Sequence, residues 1–253
     1  MKKSLIIPAL LLSAGSIFLT SCGNSDTNNT MKSPTTKSAE VANQKENKEN
    51  GENEKNTIAK QANMVEGTDA KSKTTENMQA AFKGETTTSA KYAAYSLKAE
   101  QEGYHQIALL FKAASTAENI HANNHKAVLQ ESGNSVPVIK PEYSVKSTKE
   151  NLEDAIKGET YEATTMYPQF LTAANAAGDQ LALISLTYAY KTEKKHKVMY
   201  ETALAALQNN TVKALPSVFY VCPTCGNTYE TTAPARCGIS MTKSDKFIKI
   251  NSL

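Results

Sequence analysis

Two Glu-x-x-His motifs, Glu118-Asn119-Ile120-His121 and Glu193-Lys194-Lys195-His196, supply the residue types that bind metal cations. On a helix, a Glu and a His three apart project from one face, so each motif offers a carboxylate and an imidazole together. The same frame precedes each motif: Ala81-Phe82-Lys83-Gly84-Glu85-Thr86 and Ala155-Ile156-Lys157-Gly158-Glu159-Thr160. The frames lie 74 residues apart and the motifs 75 apart, so a unit of about 75 residues reads as duplicated. Each copy adds a lone carboxylate, Glu85 or Glu159, to its pair, and Glu162 adds another. One copy of Glu-x-x-His is a common pattern on solvated helix surfaces. Two copies behind matched frames are not.

Glu85, Glu118, His121, Glu159, Glu162, Glu193 and His196 are thus expected on one interior face. Five carboxylates crowded in a core cannot all stay ionised, because desolvation and mutual repulsion raise their pKa values. Two cations remove that conflict. Carboxylate and imidazole donors suit iron or manganese, and the ligand list does not choose between them. His105 and His125 have no evident partner and are expected to be partly exposed.

Helical elements must position these residues. The sequence predicts helices over about Thr75–Glu102, Tyr104–Ser132, Ser147–Ala177 and Asp179–Gln208, ending at Gly103, Gly133 and Gly178 where these occur. Phe82, Tyr92, Tyr95 and Leu97 are apolar positions of the first. Ile107, Leu110, Phe111, Ala114 and Ile120 lie on a helical period in the second, and Leu181, Ile184, Leu186, Val198 and Leu204 belong to the fourth. Ser147 and Glu150 form a capping box. Pro168 should bend or locally break the third helix. An irregular crossover, Asn134 to Val145, links the two halves. The expected architecture is mainly α, a four-helix bundle at 75–211 and a small β-rich domain at 212–253. This arrangement matches the ligand set of ferritin-like di-iron bundles: a Glu from each of two helices and Glu-x-x-His from each of the others.

The ends of the chain differ in character. Residues 1–22 read as an export signal, with Lys2 and Lys3 before an apolar stretch too short for a confident membrane span. It closes on Leu19-Thr20-Ser21-Cys22, which resembles a bacterial lipobox, so Cys22 is the expected lipidation site. A lipid anchor would hold the protein on a membrane surface outside the cytoplasm. Residues 23–74 are rich in Asn, Lys, Glu, Thr and Ser and poor in apolar groups, which predicts a disordered tether. The net charge of +3 is too small to argue for a nucleic-acid partner.

Near the C-terminus, Cys222-Pro223-Thr224-Cys225-Gly226 has the spacing of a rubredoxin or zinc-ribbon knuckle. The second knuckle is incomplete: Cys237 is followed by Ser240 where a fourth cysteine would stand. Three outcomes stay open. A metal, iron or zinc, can bind Cys222, Cys225 and Cys237, with Ser240 or water completing a tetrahedron. Zinc can occupy a structural site, or the ribbon can be metal-free with a disulfide.

The stretches Ala81 to Thr86, Glu102-Gly103-Tyr104, Glu118-x-x-His121-Ala122, Gly158-Glu159-x-x-Glu162 and Met166-Tyr167-Pro168 resemble rubrerythrin, in order and spacing, from Thr75 to the C-terminus. The resemblance implies a non-haem di-iron peroxidase that reduces hydrogen peroxide, with iron moving between a His and Glu162 as its oxidation state changes. Tyr92 and Tyr167 then match tyrosines that hydrogen-bond ligand carboxylates and serve catalysis. It also implies a homodimer in which electrons arrive from the facing subunit's rubredoxin-like domain. The donor behind that domain is unknown. A ferroxidase or iron-binding module is the alternative reading.

Overall fold

The computed structural model describes the backbone from Ala42 to Leu253 and the side chains from Gly67 onward. The export signal, Cys22 and the first part of the expected tether lie outside the described residues. A compact unit spans Asn53–Leu253. The elements of the described residues are α1 (Ala42–Gln101), α2 (His105–Glu131), α3 (Thr148–Tyr161), α4 (Tyr167–Ala177) and α5 (Gln180–Gln208), then strands β1 (Phe219–Val221), β2 (Thr228–Glu230) and β3 (Ile248–Ile250). The predicted class holds: a four-helix bundle followed by a three-stranded antiparallel sheet of order β2-β1-β3.

The first helix was expected to begin at Thr75, but α1 already runs from Ala42. Thr74 is the first buried side chain among the described residues, so the sequence located the start of packing and not the start of helix. No proline lies between 42 and 101, and extending an existing helix adds one hydrogen bond per residue fixed.

Ser147 and Glu150 form the expected reciprocal capping box. The third predicted helix is continuous in direction but not in winding: α3 passes through a π-helical turn, Glu162–Met166, before α4. Pro168 lies two residues after that turn, and its missing N–H cannot support an ordinary α-helical ladder there. Gly178 then closes α4 with a left-handed backbone, φ 66°.

Two apolar clusters fill the bundle. One contains Tyr92, Tyr95, Phe111, Leu152 and Tyr200. The other contains Met78, Leu129, Tyr167, Ala174 and Leu186. On every helical rod the candidate ligands fall between these two sets, so the metal-binding layer is walled by packed side chains at both ends. Each fully buried Phe or Leu contributes on the order of 1.5–3 kcal/mol to that wall. Leu97, Leu181, Ile184 and Val198, expected as apolar positions, are instead exposed. On α5 the interior stripe is taken by Ala182, Leu186, Ala189, Glu193, His196 and Ala203, which leaves those larger residues outside. No helix among the described residues is long and apolar enough to cross a membrane.

Candidate metal centre

Two ligand groups form at the centre of the bundle. In one, donor atoms of Glu85, Glu118, His121 and Glu193 all lie within 4.8 Å of one another; in the other, those of Glu118, Glu159, Glu193 and His196 do. Glu118 and Glu193 belong to both groups. Each group therefore has one His, one carboxylate of its own and two shared carboxylates, the composition expected of a bridged pair of cations. All six residues are almost completely buried.

The imidazoles are oriented from outside. His121 Nε2 lies 3.0 Å from the Cys225 carbonyl oxygen, which can only accept, so Nε2 carries the hydrogen. His196 Nε2 lies 3.0 Å from Thr228 Oγ1, whose own proton is donated to the Gly226 carbonyl. Both Nδ1 lone pairs of the neutral rings then face inward, against carboxylate oxygens of Glu118 and Glu193 at 2.9–3.1 Å. Lone pairs cannot face ionised carboxylates at that distance unless a cation or a proton lies between them. Glu85 Oε2, Glu159 Oε2 and Glu193 Oε1 are also buried without a hydrogen-bond partner. The donor set therefore fits two metal ions.

Protons are the only compensation available without metal, and the titration of the groups reflects this. Burial, followed by the charge of Glu118, pushes Glu85 up to about 8. Burial and then Glu193 raise Glu159. Burial opposes charge on both rings too, yet Glu193 drives His121 upward and Glu118 raises His196 to about 10. The same contacts overcome burial at Glu118 and hold it low.

Tyrosines anchor the two outer carboxylates. Tyr92 donates to Glu159 Oε1 at 2.7 Å, and Tyr167 donates to Glu85 Oε1. Tyr92 follows Glu85 by seven residues, two α-helical turns, whereas Tyr167 follows Glu159 by eight. An eighth residue would turn Tyr167 about 80° off the ligand face of a regular helix. The π turn at Glu162–Met166 absorbs that residue and returns Tyr167 to the face. It also accounts for the frames being 74 apart and the motifs 75.

Glu162 opens the π turn and belongs to neither four-residue group. Burial and the Glu85 charge raise its pKa. The structure thus brings six of the seven predicted ligands together and leaves the seventh beside them.

His125 corrects the sequence reading. It is fully buried, with Nδ1 2.7 Å from Ser185 Oγ and Nε2 3.2 Å from the Tyr167 hydroxyl. Its position four residues after His121 places it on the ligand side of α2, a signal that spacing offered. His105 is partly exposed as expected but does have a partner, Glu100 Oε2 at 2.9 Å. Sequence reasoning also missed Thr228 and the Cys225 carbonyl, because contacts between distant elements leave no local pattern.

The ribbon packs on the side of the bundle beside this site. Asn124 donates to the Thr224 carbonyl, and Lys195 donates to Asn227 and Thr228 and lies over the Tyr229 ring. These contacts are made within one chain. Cys222, Cys225 and Cys237 are buried and unbridged, with donor atoms within 4.8 Å of one another. Ser240 Oγ lies 3.2 Å from Cys222 Sγ, at the place of a fourth ligand. Cys237 Sγ receives the Ile239 amide at 3.4 Å and the Tyr229 hydroxyl at 3.5 Å, contacts that suit a thiolate. The Cys225 thiol and then Ser240 hold Cys222 down at about 4, although burial works against them.

Known proteins share both halves of this arrangement. The rubrerythrin family model matches residues 76–204. Rubrerythrin-2 of Clostridium acetobutylicum is 33% identical over 175 residues, which cover 69% of this chain and 95% of that protein. Nigerythrin of Nitratidesulfovibrio vulgaris is 34% identical over 176 residues, covering 69% and 85%. The structure of fully reduced, all-ferrous nigerythrin superposes with a TM-score of 0.62, over 70% of this chain and 86% of that one. A Desulfovibrio desulfuricans bacterioferritin, 19% identical with a TM-score of 0.54, shares the fold. With two His–carboxylate groups bridged by shared glutamates for a di-iron pair and a thiol cluster beside them, this chain belongs to the rubrerythrin family.

Proposed function

We propose that this protein is a peroxidase that reduces hydrogen peroxide to two waters, taking up two electrons and two protons. The observation that carries the reading is the inward-facing donor set, in which imidazole lone pairs and unpartnered carboxylate oxygens converge on two adjacent positions. When bound there, two iron ions supply one electron each and polarise the O–O bond.

The chain holds and protonates that chemistry. Glu118 and Glu193 span both positions, while Glu85 with His121 and Glu159 with His196 complete them. On this reading Glu162 would enter as a ligand when the charge at the site changes. Tyr92 and Tyr167 fix the outer carboxylates and keep phenolic protons at the pocket, because burial followed by the facing glutamates raises both pKa values. The two apolar clusters exclude bulk water, which strengthens each of these interactions.

Cys225 supports electron delivery from the ribbon: its thiol belongs to the sulfur cluster and its carbonyl accepts from His121. We further infer from the Cys22 pattern that the protein is exported and lipid-anchored, so its reductant is one available outside the cytoplasm. Replacing Cys22 by Ala should then release the protein from membranes.

The test is anaerobic loading of the full chain with ferrous iron, followed by stoichiometric hydrogen peroxide or dioxygen. About two irons per bundle, oxidised far faster by peroxide than by oxygen, support the proposal. Oxidation that is faster with oxygen favours a ferroxidase, and iron indifferent to peroxide removes the peroxidase reading.

A further inference from the structure

The two tyrosines at the site have unlike surroundings. Behind Tyr92 the packing is aromatic: Tyr95, Phe111 and Tyr200 pack around its ring, with centroids 5.4–6.1 Å away. Tyr200 offers no route outward, since among the described residues its buried hydroxyl meets at most that of Tyr92 itself. Behind Tyr167 stands His125, and behind His125 stands Ser185, at the contacts given above. Ser185 retains 5% of its surface exposure, and its neighbours on α5, Leu181 and Ile184, are half-exposed.

The proton count fixes the direction of this chain. When Glu85 binds a cation it is ionised and can only accept. The single Tyr167 hydroxyl proton is therefore committed to Glu85, and Tyr167 oxygen can only accept from His125. Nε2 of His125 must then carry hydrogen, which leaves Nδ1 bare, and Ser185 must donate to it. All three hydrogen bonds point the same way, from α5 toward the metal pocket.

We propose that His125 is a positioning residue that locks Tyr167 as a donor to Glu85 and, with Ser185, re-protonates it from the α5 surface. This rests on the peroxidase reading, in which each turnover consumes two protons. In one transfer the Tyr167 O–H bond breaks as its proton passes by way of Glu85 to a peroxide oxygen, forming one of the two new O–H bonds that turnover requires. The His125 Nε2–H proton moves to the Tyr167 oxygen, the Ser185 proton moves to His125 Nδ1, and solvent water restores the Ser185 hydroxyl. One proton has entered, no electron has moved, and the ring has exchanged one tautomer for the other; rotation of the ring away from its partners, with loss of the Nδ1 proton to water and gain of one at Nε2, resets the chain. Burial presses the His125 pKa down, so the ring works as a neutral relay and not as a stored imidazolium. Among the described residues no such chain leads outward from Tyr92, so protons enter from the Tyr167 side.

Two measurements on the full chain test this. The first is nitrogen NMR of histidine-labelled, zinc-substituted protein, which is diamagnetic and needs no turnover. His125 should be neutral with its proton on Nε2, and Ser185→Ala should move the Nδ1 resonance. A proton on Nδ1 with a bare Nε2, or an imidazolium, overturns the proposal. The second is peroxide oxidation of the ferrous protein in water and in deuterium oxide. Ser185→Ala preserves packing, and His125→Gln keeps a donor to Tyr167 but cannot relay. Each should bind iron as wild type does, yet react on the order of 10- to 100-fold more slowly, with a larger solvent isotope effect. Wild-type rates and isotope effects in both variants overturn the relay. If peroxide fails to oxidise even wild-type protein, the peroxidase reading falls, while the NMR result still decides the orientation of the chain.

Discussion

His121 of α2 and Cys225 of the ribbon are joined by a hydrogen bond of 3.0 Å, from Nε2 to the backbone carbonyl, at the inner edge of the metal site. The contact is close because the next residue is Gly226. A Cβ there would lie 2.3 Å from His121 Nε2, and the backbone has φ +73°, a region that side chains strain.

Gly226→Ala should therefore push the ribbon and His121 apart. The expected results are loss of iron from the His121 position and a stability cost of about 1–3 kcal/mol, the range for strained backbone. Gly238→Ala is the control, since its added Cβ meets only Tyr229 Oη at 3.8 Å. Iron stoichiometry and thermal melting of the two variants check this; equal iron in both would show that the close approach is unimportant.

Tyr92→Phe and Tyr167→Phe should be unequal. Each removes a donor from a buried ligand carboxylate, which costs about 1–3 kcal/mol when the oxygen is left unsatisfied. Tyr92→Phe removes an anchor in an otherwise dry aromatic wall. Tyr167→Phe removes the anchor and also disconnects His125 from the pocket. Peroxide oxidation should slow more in Tyr167→Phe than in Tyr92→Phe at matched iron content, and the reverse order in stopped-flow traces would contradict this asymmetry.

What the sequence disclosed follows from the periodicity of each feature. Glu118 with His121 and Glu193 with His196 were legible because helical spacing sets which side chains share a face. The one-residue difference between the repeats was visible too, but its meaning was not. A π turn at Glu162–Met166 depends on how a chain containing Pro168 satisfies its backbone while Tyr167 reaches Glu85, a tertiary demand. His125 was misread because its partners, Ser185 and Tyr167, are 60 and 42 residues away. Leu181 and Ile184 were misplaced because polar ligands claimed the interior stripe of α5, so the apolar period no longer marked the core.

The π turn itself is testable. Deleting Thr164 should restore a regular helical count between Glu159 and residue 167, shortening the eight-residue spacing to the seven seen between Glu85 and Tyr92. The helix would then present its tyrosine without a π turn, but Glu162 would lose the distorted backbone that sets it beside the site. We expect the deletion protein to fold and to bind iron, with altered spectra and a changed reduction potential. Failure to bind two irons would mean that the turn shapes the ligand set and not only Glu162.

Ser240→Cys should convert the ribbon to a four-thiolate site. Ser240 Oγ already sits 3.2 Å from Cys222 Sγ, so a thiol there needs little rearrangement. The variant should retain iron through chelator treatment that strips wild type, and its ribbon potential should rise, because sulfur replaces a harder oxygen donor. Ser240→Ala should bind more weakly than wild type. Equal retention across all three would show that residue 240 is not a ligand.

Removing the metal should reverse the pH dependence of stability. In the metal-free protein Glu85 is raised from 4.5 to about 8 and His196 from 6.5 to about 10. A raised folded-state pKa means that the native state binds more protons than the unfolded chain between the two values. The stabilisation is therefore fully present below the unfolded value and is lost as pH rises through the folded one. Glu159 and His121 are shifted the same way. Glu118 is shifted oppositely, but its window lies below the unfolded 4.5, and His125 acts only below 6.5; Cys222, held at about 4, and Cys237 oppose the loss between pH 7 and 9 but are outnumbered by the raised glutamates and histidines. From pH 7 to 9 the chelated protein should thus lose stability steadily. The iron-loaded protein needs its carboxylates ionised and Nδ1 bare, so metal binding strengthens as those protons leave, and its stability should hold or increase over the same interval. Denaturant unfolding of both forms at pH 7 and 9 makes the comparison. Parallel slopes would mean that protons and metal do not compete for these glutamates and histidines.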